Sequence, residues 1–450
     1  MERCLQWSSP PLAEHRKRNA TQPLPIAIMH TAAGNPLEET MAIHVVGLGI
    51  DPDTLPEIHE QIISTADVLV GGKRQLAAFE KHGADTIPIT APLSNVFTAM
   101  ADRYNKRDEV VVIADGDPLF YGIGDRIIKE FGSENVIIHP NTATVQGIAS
   151  RANISWQNMR MVSLHGRNDY TPLFTALQQQ DHVAVLTDDT NIPAVIAQKL
   201  LDRGVTWFQV WVFENMGTDD EIITTCSLEE ASNKNFAKLN ALLFERTGYP
   251  EKPLRIGIPD NEFSTERNLI TKWPVRTASL GALQLSPTNT MWDVGAGSGS
   301  VSIEAAHLLT KGAVYAIERK IERVELIRYN RARFGAINLE VLHGNVEDCI
   351  ADLPDPDRIF IGGGLGTDNS MLAPLCERLA EGGYLVINCA LLSSLEAAKN
   401  HVKKLDWKYE VTLVQSASSS KLAGDIRFES MNPIFIICAQ KPVPEKQSAA

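Results

Sequence analysis

From Met41 onward, short apolar runs alternate with longer amphipathic stretches, and the hydrophobic period switches between two and about 3.6. The apolar runs predict strands at 43–46, 68–70, 110–113, 136–138, 161–164, 183–186 and 208–213. Helical stretches fall between them, for example at 54–66 and 193–203. This alternation predicts α/β folds with largely parallel sheets. A second series starts at 290–293 and continues through 314–317, 339–342, 358–361 and 384–387. It closes with two strands at 408–415 and 433–439, for which antiparallel pairing is expected. Seven strands with helices between the early ones make a complete doubly wound, Rossmann-like domain. Between the two series, Tyr249-Pro-Glu-Lys-Pro253 and Ile258-Pro-Asp260 are turn and linker material, so 240–290 reads as a transition. The expected domains are 41–250 and 255–440, with a flexible tail at 441–450.

Residues 1–40 break the pattern. They carry Pro10, Pro11, Pro23, Pro25, Pro36 and the basic cluster His15-Arg-Lys-Arg18 without periodicity, which predicts a disordered extension. Translation could start at Met1 or at Met41. The net charge is −13, which disfavours binding to DNA, RNA or anionic membrane but leaves room for a small polyanion read by a few local Arg or Lys. The six cysteines form no C-x-x-C pair and several sit in apolar runs, as expected of free thiols in a reducing cytoplasm. No apolar run approaches the ~20 residues of a membrane span. No His/Cys/Asp cluster has metal-ligand spacing.

The segment Met291-Trp-Asp-Val-Gly295-Ala-Gly297-Ser-Gly299 carries the chemistry of the second series. An apolar strand ends in an acidic residue and a Gly-x-Gly-x-Gly turn, then feeds an apolar helix. Glycine allows positive φ and close approach of a ligand, and the helix start offers unpaired N–H groups. The spacing differs from the G-x-G-x-x-G of NAD sites, and Asp293 suits a cationic sulfonium better than a diphosphate. Glu318 ends the next strand, 25 residues after Asp293 in the chain, near the ~20-residue spacing of a ribose-binding carboxylate. The third strand ends in His343-Gly-Asn345-Val346 and the fourth in Ile361-Gly362-Gly363-Gly364, small residues that leave room for a substrate. The pattern points to S-adenosylmethionine.

In the first series, Val45-Val-Gly47-Leu-Gly49-Ile-Asp51-Pro-Asp53 lacks the Lys-Ser/Thr of a phosphate loop, and its aspartates would repel phosphate. Gly116-Asp117-Pro-Leu-Phe120-Tyr121-Gly122 has two local readings. It forms a concave lip with one carboxylate, suited to an adenosine–methionine conjugate, or a strand-to-helix turn with Asp117 as N-cap and Pro118 at N1.

Gly47-Leu-Gly49, Val70-Gly-Gly-Lys-Arg74, Gly116 to Gly122, Thr144-Val-Gln146, Ser163-Leu-His-Gly-Arg167 and Glu214-Asn-Met-Gly217 resemble the tetrapyrrole methylase family, in particular its branch acting on carbon 5 of a precorrin. Asp260-Asn-Glu-Phe263, Arg267-Asn-Leu-Ile-Thr-Lys272, Val275-Arg276, Asp293 to Gly299, Pro356 to Gly363 and Asn432-Pro433 resemble the class I methyltransferases acting on carbon 15. Both together are similar to the fused precorrin methyltransferases of cobalamin synthesis, from about Met41 to Gln440. The chain departs from the family at Asp115, where Ser is common, at Asn141-Thr-Ala-Thr144 in place of a Ser-Ser turn, and at Asn268 in place of Gly.

The resemblance implies a tetrapyrrole methylase fold of two α/β subdomains, near 41–150 and 151–250, followed by a seven-stranded class I methyltransferase domain. It implies two S-adenosylmethionine sites. One would use Gly47, Gly49, Gly116, Asp117, Phe120, Thr142, Thr144 and His165. The other would use Thr271, Gly295, Ala296, Gly297, Ser298, Gly299, Glu318, Asn345 and Val346, Thr271 having a helix N-cap as its alternative. The implied reaction methylates carbons 5 and 15 of a precorrin and decarboxylates the acetate on carbon 12, with any cobalt arriving inside the substrate. Such a macrocycle carries many carboxylates, which makes Arg126, Arg151, Arg160, Arg167, Arg267 and Arg276 candidates for its recognition, with Gly362 and Gly363 beside it. A homo-oligomer is expected, with the apolar strand Ile434-Phe-Ile-Ile437 near a subunit contact. The equivalent cobalt-precorrin methyltransferase of an early-cobalt pathway, a methyltransferase acting on RNA, and an inactive N-terminal module that only docks substrate remain as alternatives.

Overall fold

The computed structural model describes residues 41–51, 54–363, 365 and 370–444. The expected extension at 1–40, Asp53, Gly364 and residues 445–450 of the expected tail lie outside the described residues.

The first sheet holds β1 (Ile43–Gly47), β2 (Val68–Gly71), β3 (Asp85–Pro88), β4 (Val110–Ala114) and β5 (Val136–His139), all parallel, in the order β3-β2-β4-β1-β5. Every residue of β4, Val-Val-Val-Ile-Ala, is buried, as a central parallel strand covered on both faces requires.

The second sheet holds β6 (Arg160–Ser163), β7 (His182–Leu186), β8 (Phe208–Glu214), β9 (Ile222–Ser227) and β10 (Asn240–Arg246), in the order β6-β7-β10-β8-β9. Here the expectation of largely parallel sheets fails: only β6 and β7 run parallel, and every pair involving β8, β9 or β10 is antiparallel. The expected transition at 240–290 also begins too early. Its first residues form β10, the central strand, because Ala241 to Phe244 fill the middle of the core. The apolar runs missed β3 and β9 because none of their residues is buried.

The third sheet holds β11 (Thr290–Val294), β12 (Ala313–Glu318), β13 (Leu339–His343), β14 (Arg358–Ile361), β15 (Tyr384–Cys389), β16 (Lys408–Val414) and, after a hairpin of β17 (Ala417–Leu422) and β18 (Asp425–Ser430), β19 (Ile434–Gln440). Its order is β13-β12-β11-β14-β15-β19-β16. The first five strands are parallel and β19 is antiparallel to both neighbours, as expected. Residues alternate between two cores. Met291, Val314, Phe360 and Val386 pack on one face, and Trp292, Ile317, Ile361 and Ile387 on the other. Ile436 and Ile437 follow the same alternation and are buried within the chain, so β19 is sheet interior and not the subunit contact expected of it. The strand order reverses between β11 and β14, which opens a crevice at the carboxyl ends of these strands.

The remaining transition is locked rather than loose. The Glu304 carboxylate accepts from the backbone N–H of Gly257 and Ile258, each at 2.9 Å, and from Arg276 Nε at 2.7 Å. Arg276 also donates to Asp260, to the Thr271 carbonyl and to the Ile258 carbonyl. Arg276 and Glu304 are both fully buried, so Arg276 is a structural ion pair and not the substrate ligand expected of it. Removing one member of a buried pair costs about 3–5 kcal/mol because the other is left uncompensated. Arg276→Met is therefore predicted to lower the melting temperature sharply, and Arg276→Met with Glu304→Leu to recover much of the loss. Equal melting of the single variant and the parent would contradict this.

Candidate functional site

The crevice at the β11/β14 reversal is a cavity of about 950 Å³. The turn after β11 runs with φ of +70° at Gly295, +62° at Gly297 and +77° at Gly299. At Gly297 a side chain would be strained and would stand in the cavity. Gly299 has a different part: it does not line the cavity, and a Cβ there would come within 2.9 Å of Ile327, so it brings the helix Ser300–Leu308 close to its neighbour. Thr271, Gly295, Ala296, Gly297, Ser298, Glu318, Asn345, Val346, Gly362 and Gly363 all line the cavity. Thr271 is not an N-cap, since Lys272 takes that place on the helix Trp273–Leu283.

Glu318 ends β12 and is almost fully buried. One carboxylate oxygen accepts from Gly297 N and the other from Lys320 N, each at 3.0 Å. Each oxygen keeps a second lone pair for a hydroxyl. Asp293 is the last residue but one of β11 and is buried. One of its oxygens accepts from Ser302 Oγ; the other has no partner among the described residues, although the side chain lines the cavity. Burial raises its pKa to about 7, against the lowering effect of Ser302. A buried carboxyl with an orphan oxygen beside a glycine turn and a bidentate carboxylate fits an adenosyl sulfonium: hydroxyl groups for Glu318 and positive charge for Asp293.

Sequence reasoning missed other members of this cavity. Asn388, at the end of β15, is held by Ser279, whose hydroxyl donates to the Val275 carbonyl. Cys389, Leu391, Met431 and the basic residues Lys272, Arg319 and Arg323 also line it. A polar residue closing an apolar strand was the available signal for Asn388. Arg323 is paired with Glu266 at 2.8 Å, and Arg267 is exposed outside the cavity. Asn268 adopts φ +58°, which explains its place where the family carries Gly, since Asn is the next residue to tolerate this conformation.

Gly47, Gly49, Gly116, Thr142 and Thr144 meet at the carboxyl ends of β1, β4 and β5, whereas Phe120 and His165 belong to the side of the second subdomain. Gly49 and Gly116 exchange backbone hydrogen bonds at 3.2 and 2.9 Å. A Cβ on Gly47 would lie 2.5 Å from the Gly116 carbonyl oxygen, so only glycine permits this approach. Thr142 and Thr144 abut Gly116. Asn141, far away in the chain, joins them by donating to the Gly47 carbonyl at 2.9 Å. Asp117 accepts from Leu119 N at 2.8 Å in a local turn, and the next helix starts only at Gly124, so Asp117 is not a helix N-cap. Phe120 packs in the core shared with Met161 and Phe213 of the second subdomain. His165 contacts the Thr187 carbonyl across that subdomain's strand ends. The departure at Asp115 is accommodated by Arg74 and Gln75, both at 2.5 Å. Arg151 is spent on a two-bond pair with Glu221, and Arg126 and Arg160 are exposed.

The third sheet and its glycine–carboxylate cavity define a nucleoside-binding methyltransferase domain of class I, and the first two sheets form a separate α/β pair ahead of it. A family model described as a precorrin methyltransferase domain matches residues 261–441, and one described as tetrapyrrole (corrin/porphyrin) methylases matches residues 42–232. A precorrin-6Y C(5,15)-methyltransferase [decarboxylating] from Sinorhizobium is 31% identical over 361 residues, covering 78% of this chain and 85% of the relative. Its counterpart in Mycobacterium tuberculosis is 30% identical over 377 residues, 80% of this chain and 90% of the relative. A probable cobalt-precorrin-6B C(15)-methyltransferase (decarboxylating) from Sulfolobus acidocaldarius is 35% identical over 188 residues, 41% of this chain and 97% of the relative. The chain belongs to the precorrin-6Y C(5,15)-methyltransferase (decarboxylating) family, whose members are S-adenosylmethionine-dependent enzymes.

Two predictions follow from the cavity's carboxylates. Glu318→Ala removes a charged hydrogen-bond acceptor, worth about 1.5–3 kcal/mol or roughly 10- to 150-fold in cofactor affinity. Calorimetry with S-adenosylhomocysteine reads this, and unchanged affinity would remove Glu318 from the site. Asp293 is neutral below its value of about 7 and a carboxylate above it. A cationic ligand favours the carboxylate, so its binding just below that pH should expel the proton. Titrations of S-adenosylmethionine in two buffers of different ionisation enthalpy should show proton release that fades at higher pH and is absent in Asp293→Asn. No release in the parent would place the positive charge elsewhere.

Proposed function

We propose that this chain converts precorrin-6Y to precorrin-8X, methylating carbon 5 in the N-terminal cleft and carbon 15 in the C-terminal cavity, where the carbon-12 acetate also loses carbon dioxide. What supports the reading is that one chain carries glycine turns at strand ends on two different folds, around Gly47, Gly49 and Gly116 and around Gly295 to Gly299. S-adenosylmethionine, when bound, supplies an electrophilic methyl group.

The protein's own part is alignment, which can contribute roughly 7–11 kcal/mol. In the C-terminal cavity Glu318 holds the ribose, Thr271 and the segment Gly295 to Ser298 surround the methionine part, and Asn345 and Val346 bound the base. Gly362 and Gly363 keep space for the macrocycle, and Lys272 and Arg319 at the cavity wall meet its carboxylates. In the N-terminal cleft Gly47, Gly49, Gly116, Asp117, Phe120, Thr142, Thr144 and His165 form the corresponding cradle, with Arg167 at its edge. The bridging carbons of the macrocycle attack as enamines, so no protein nucleophile is required. Cys389 lines the cavity, but burial pushes its thiol up to about 11, which keeps it protonated. In the decarboxylation the bond between methylene and carboxyl carbon breaks, its electron pair passes into the conjugated ring, and a proton returns to the carbon skeleton.

The same reading includes a homo-oligomer in a reducing cytoplasm. The five cysteines among the described residues are free thiols. The surface that motivates assembly is not β19. It is the edge strand β16 and the hairpin, where Leu413, Leu422, Ile426 and Phe428 are 52%, 52%, 66% and 75% exposed. Light scattering at micromolar concentration should give a multiple of the chain mass, reduced by Ile426→Glu with Phe428→Glu. A parent mass near 49.5 kDa would contradict assembly.

Calorimetric titration with S-adenosylhomocysteine tests the two-site reading. Two sites per chain are expected, and one in Gly297→Asp. A single site in the parent would instead favour an N-terminal module that docks substrate without a cofactor.

A further inference from the structure

Within the N-terminal lip, one residue is held in a conformation that glycine would adopt more readily. Tyr121 has φ +57°, although it carries a large side chain. The turn around it cannot relax easily: Cβ atoms on Gly122 and Gly124 would lie 2.4 and 2.8 Å from the Pro118 carbonyl oxygen. Residues kept in such conformations are over-determined by their surroundings and cluster at functional sites.

The surroundings of Tyr121 cross from one subdomain to the other. Its hydroxyl donates to the Met161 carbonyl at 2.9 Å, on β6, the edge strand of the second sheet. Its ring meets Phe120 edge-on at 5.3 Å, and Phe120 is itself packed in the core between the subdomains. Held by these two contacts, Tyr121 is still 47% exposed. Over it lies the Arg167 guanidinium, with Cζ 5.9 Å from the ring centroid. Arg167 follows the carboxyl end of β6, and no carboxylate lies within 4.0 Å of its guanidinium among the described residues. The nearby Asp188 is already saturated by the backbone N–H groups of Gly166, Thr190 and Asn191. The result is a cation against an aromatic face beside the N-terminal lip, and its fork makes no hydrogen bond among the described residues.

We propose that Tyr121 is a positioning residue that latches the lip of the N-terminal cleft to the second subdomain and presents Arg167 to a carboxylate of the tetrapyrrole substrate. This rests on the reading of that cleft as the carbon-5 site. The planar fork of Arg suits two-point recognition of a carboxylate, and stacking on Tyr121 leaves its edge free to make it. The hydroxyl bond to Met161 then acts on substrate affinity only through Arg167.

The test uses the full-length chain with Tyr121→Phe, Arg167→Gln, the double variant and Arg167→Lys. Precorrin-6Y binding is followed by its own absorbance without cofactor, and carbon-5 transfer by steady-state kinetics. Arg167→Gln should weaken binding about tenfold or more, Tyr121→Phe a few-fold, and the double variant no more than Arg167→Gln alone. KM for the macrocycle should rise while kcat and S-adenosylhomocysteine affinity hold, and Arg167→Lys should recover part of the loss. Binding to the parent should weaken with salt more steeply than binding to Arg167→Gln. Fully additive effects, or unchanged macrocycle affinity with carbon-5 transfer intact, would overturn the latch alone. A parent chain that binds precorrin-6Y but never methylates carbon 5 would overturn the reading of the cleft, and the latch with it.

Discussion

The buried pair of Arg276 and Glu304 organises the C-terminal half of the molecule. Glu304 sits on the helix that follows the glycine turn, and Arg276 on the helix that follows Thr271. Between them they hold Gly257, Ile258, Asp260 and the Thr271 carbonyl, so one ionic contact fixes the start of the domain. Glu266 and residues 268–272 then line the cavity together with the turn from Gly295 to Ser298. Because both charges are out of water, each tolerates the other only in this geometry, and the wall is held in place.

The two methyltransferase regions are not beads on a string. The helix Ile321–Phe334 lines the cavity with Arg323 and Leu326 and, further along, carries Arg331, whose guanidinium donates to the Asp202 carbonyl of the N-terminal region. Burial lowers the Arg331 pKa to about 10, still well above neutrality. Arg203 answers from the other side, paired with Glu340 and stacked on Phe174 at 3.9 Å. Gln178 accepts from Asn338 N and donates to the Ala306 carbonyl. The Arg331 guanidinium, Gln178 and the Asn338 backbone N–H thus find partners across the junction, while Arg331 Nε and Asn338 Oδ1 have none among the described residues.

Much of this was legible in the chain. The parallel strands of the first and third sheets, β3 apart, announced themselves because they are rich in apolar residues, and β4 most of all because both its faces are buried. The cavity proposed for the cofactor was legible for the same reason, since ligands gather where such strands end, and Glu318 and the glycines occupy those ends. What stayed hidden depends on partners far away in the chain. Arg276 has the composition of a surface residue and is buried only because Glu304 neutralises it. Asn141 reaches Gly47, and Tyr121 reaches Met161, through folding that no local pattern encodes. The hairpin of β17 and β18 is exposed and rich in Ser and charge, so it carried no core signal.

We propose that the two methyl transfers belong to two separate sites in one chain. Mass spectrometry of the products formed from precorrin-6Y by Gly297→Asp and by Gly116→Trp tests it most directly. Gly297→Asp should yield a macrocycle with one added methyl group, at carbon 5, and its carboxylates intact. Gly116→Trp should lose carbon-5 transfer while retaining carbon-15 transfer and loss of carbon dioxide on a substrate already methylated at carbon 5. Two methyl groups added by Gly297→Asp would contradict the assignment of the C-terminal glycine turn as a cofactor site, and none at all would contradict the independence of the two sites.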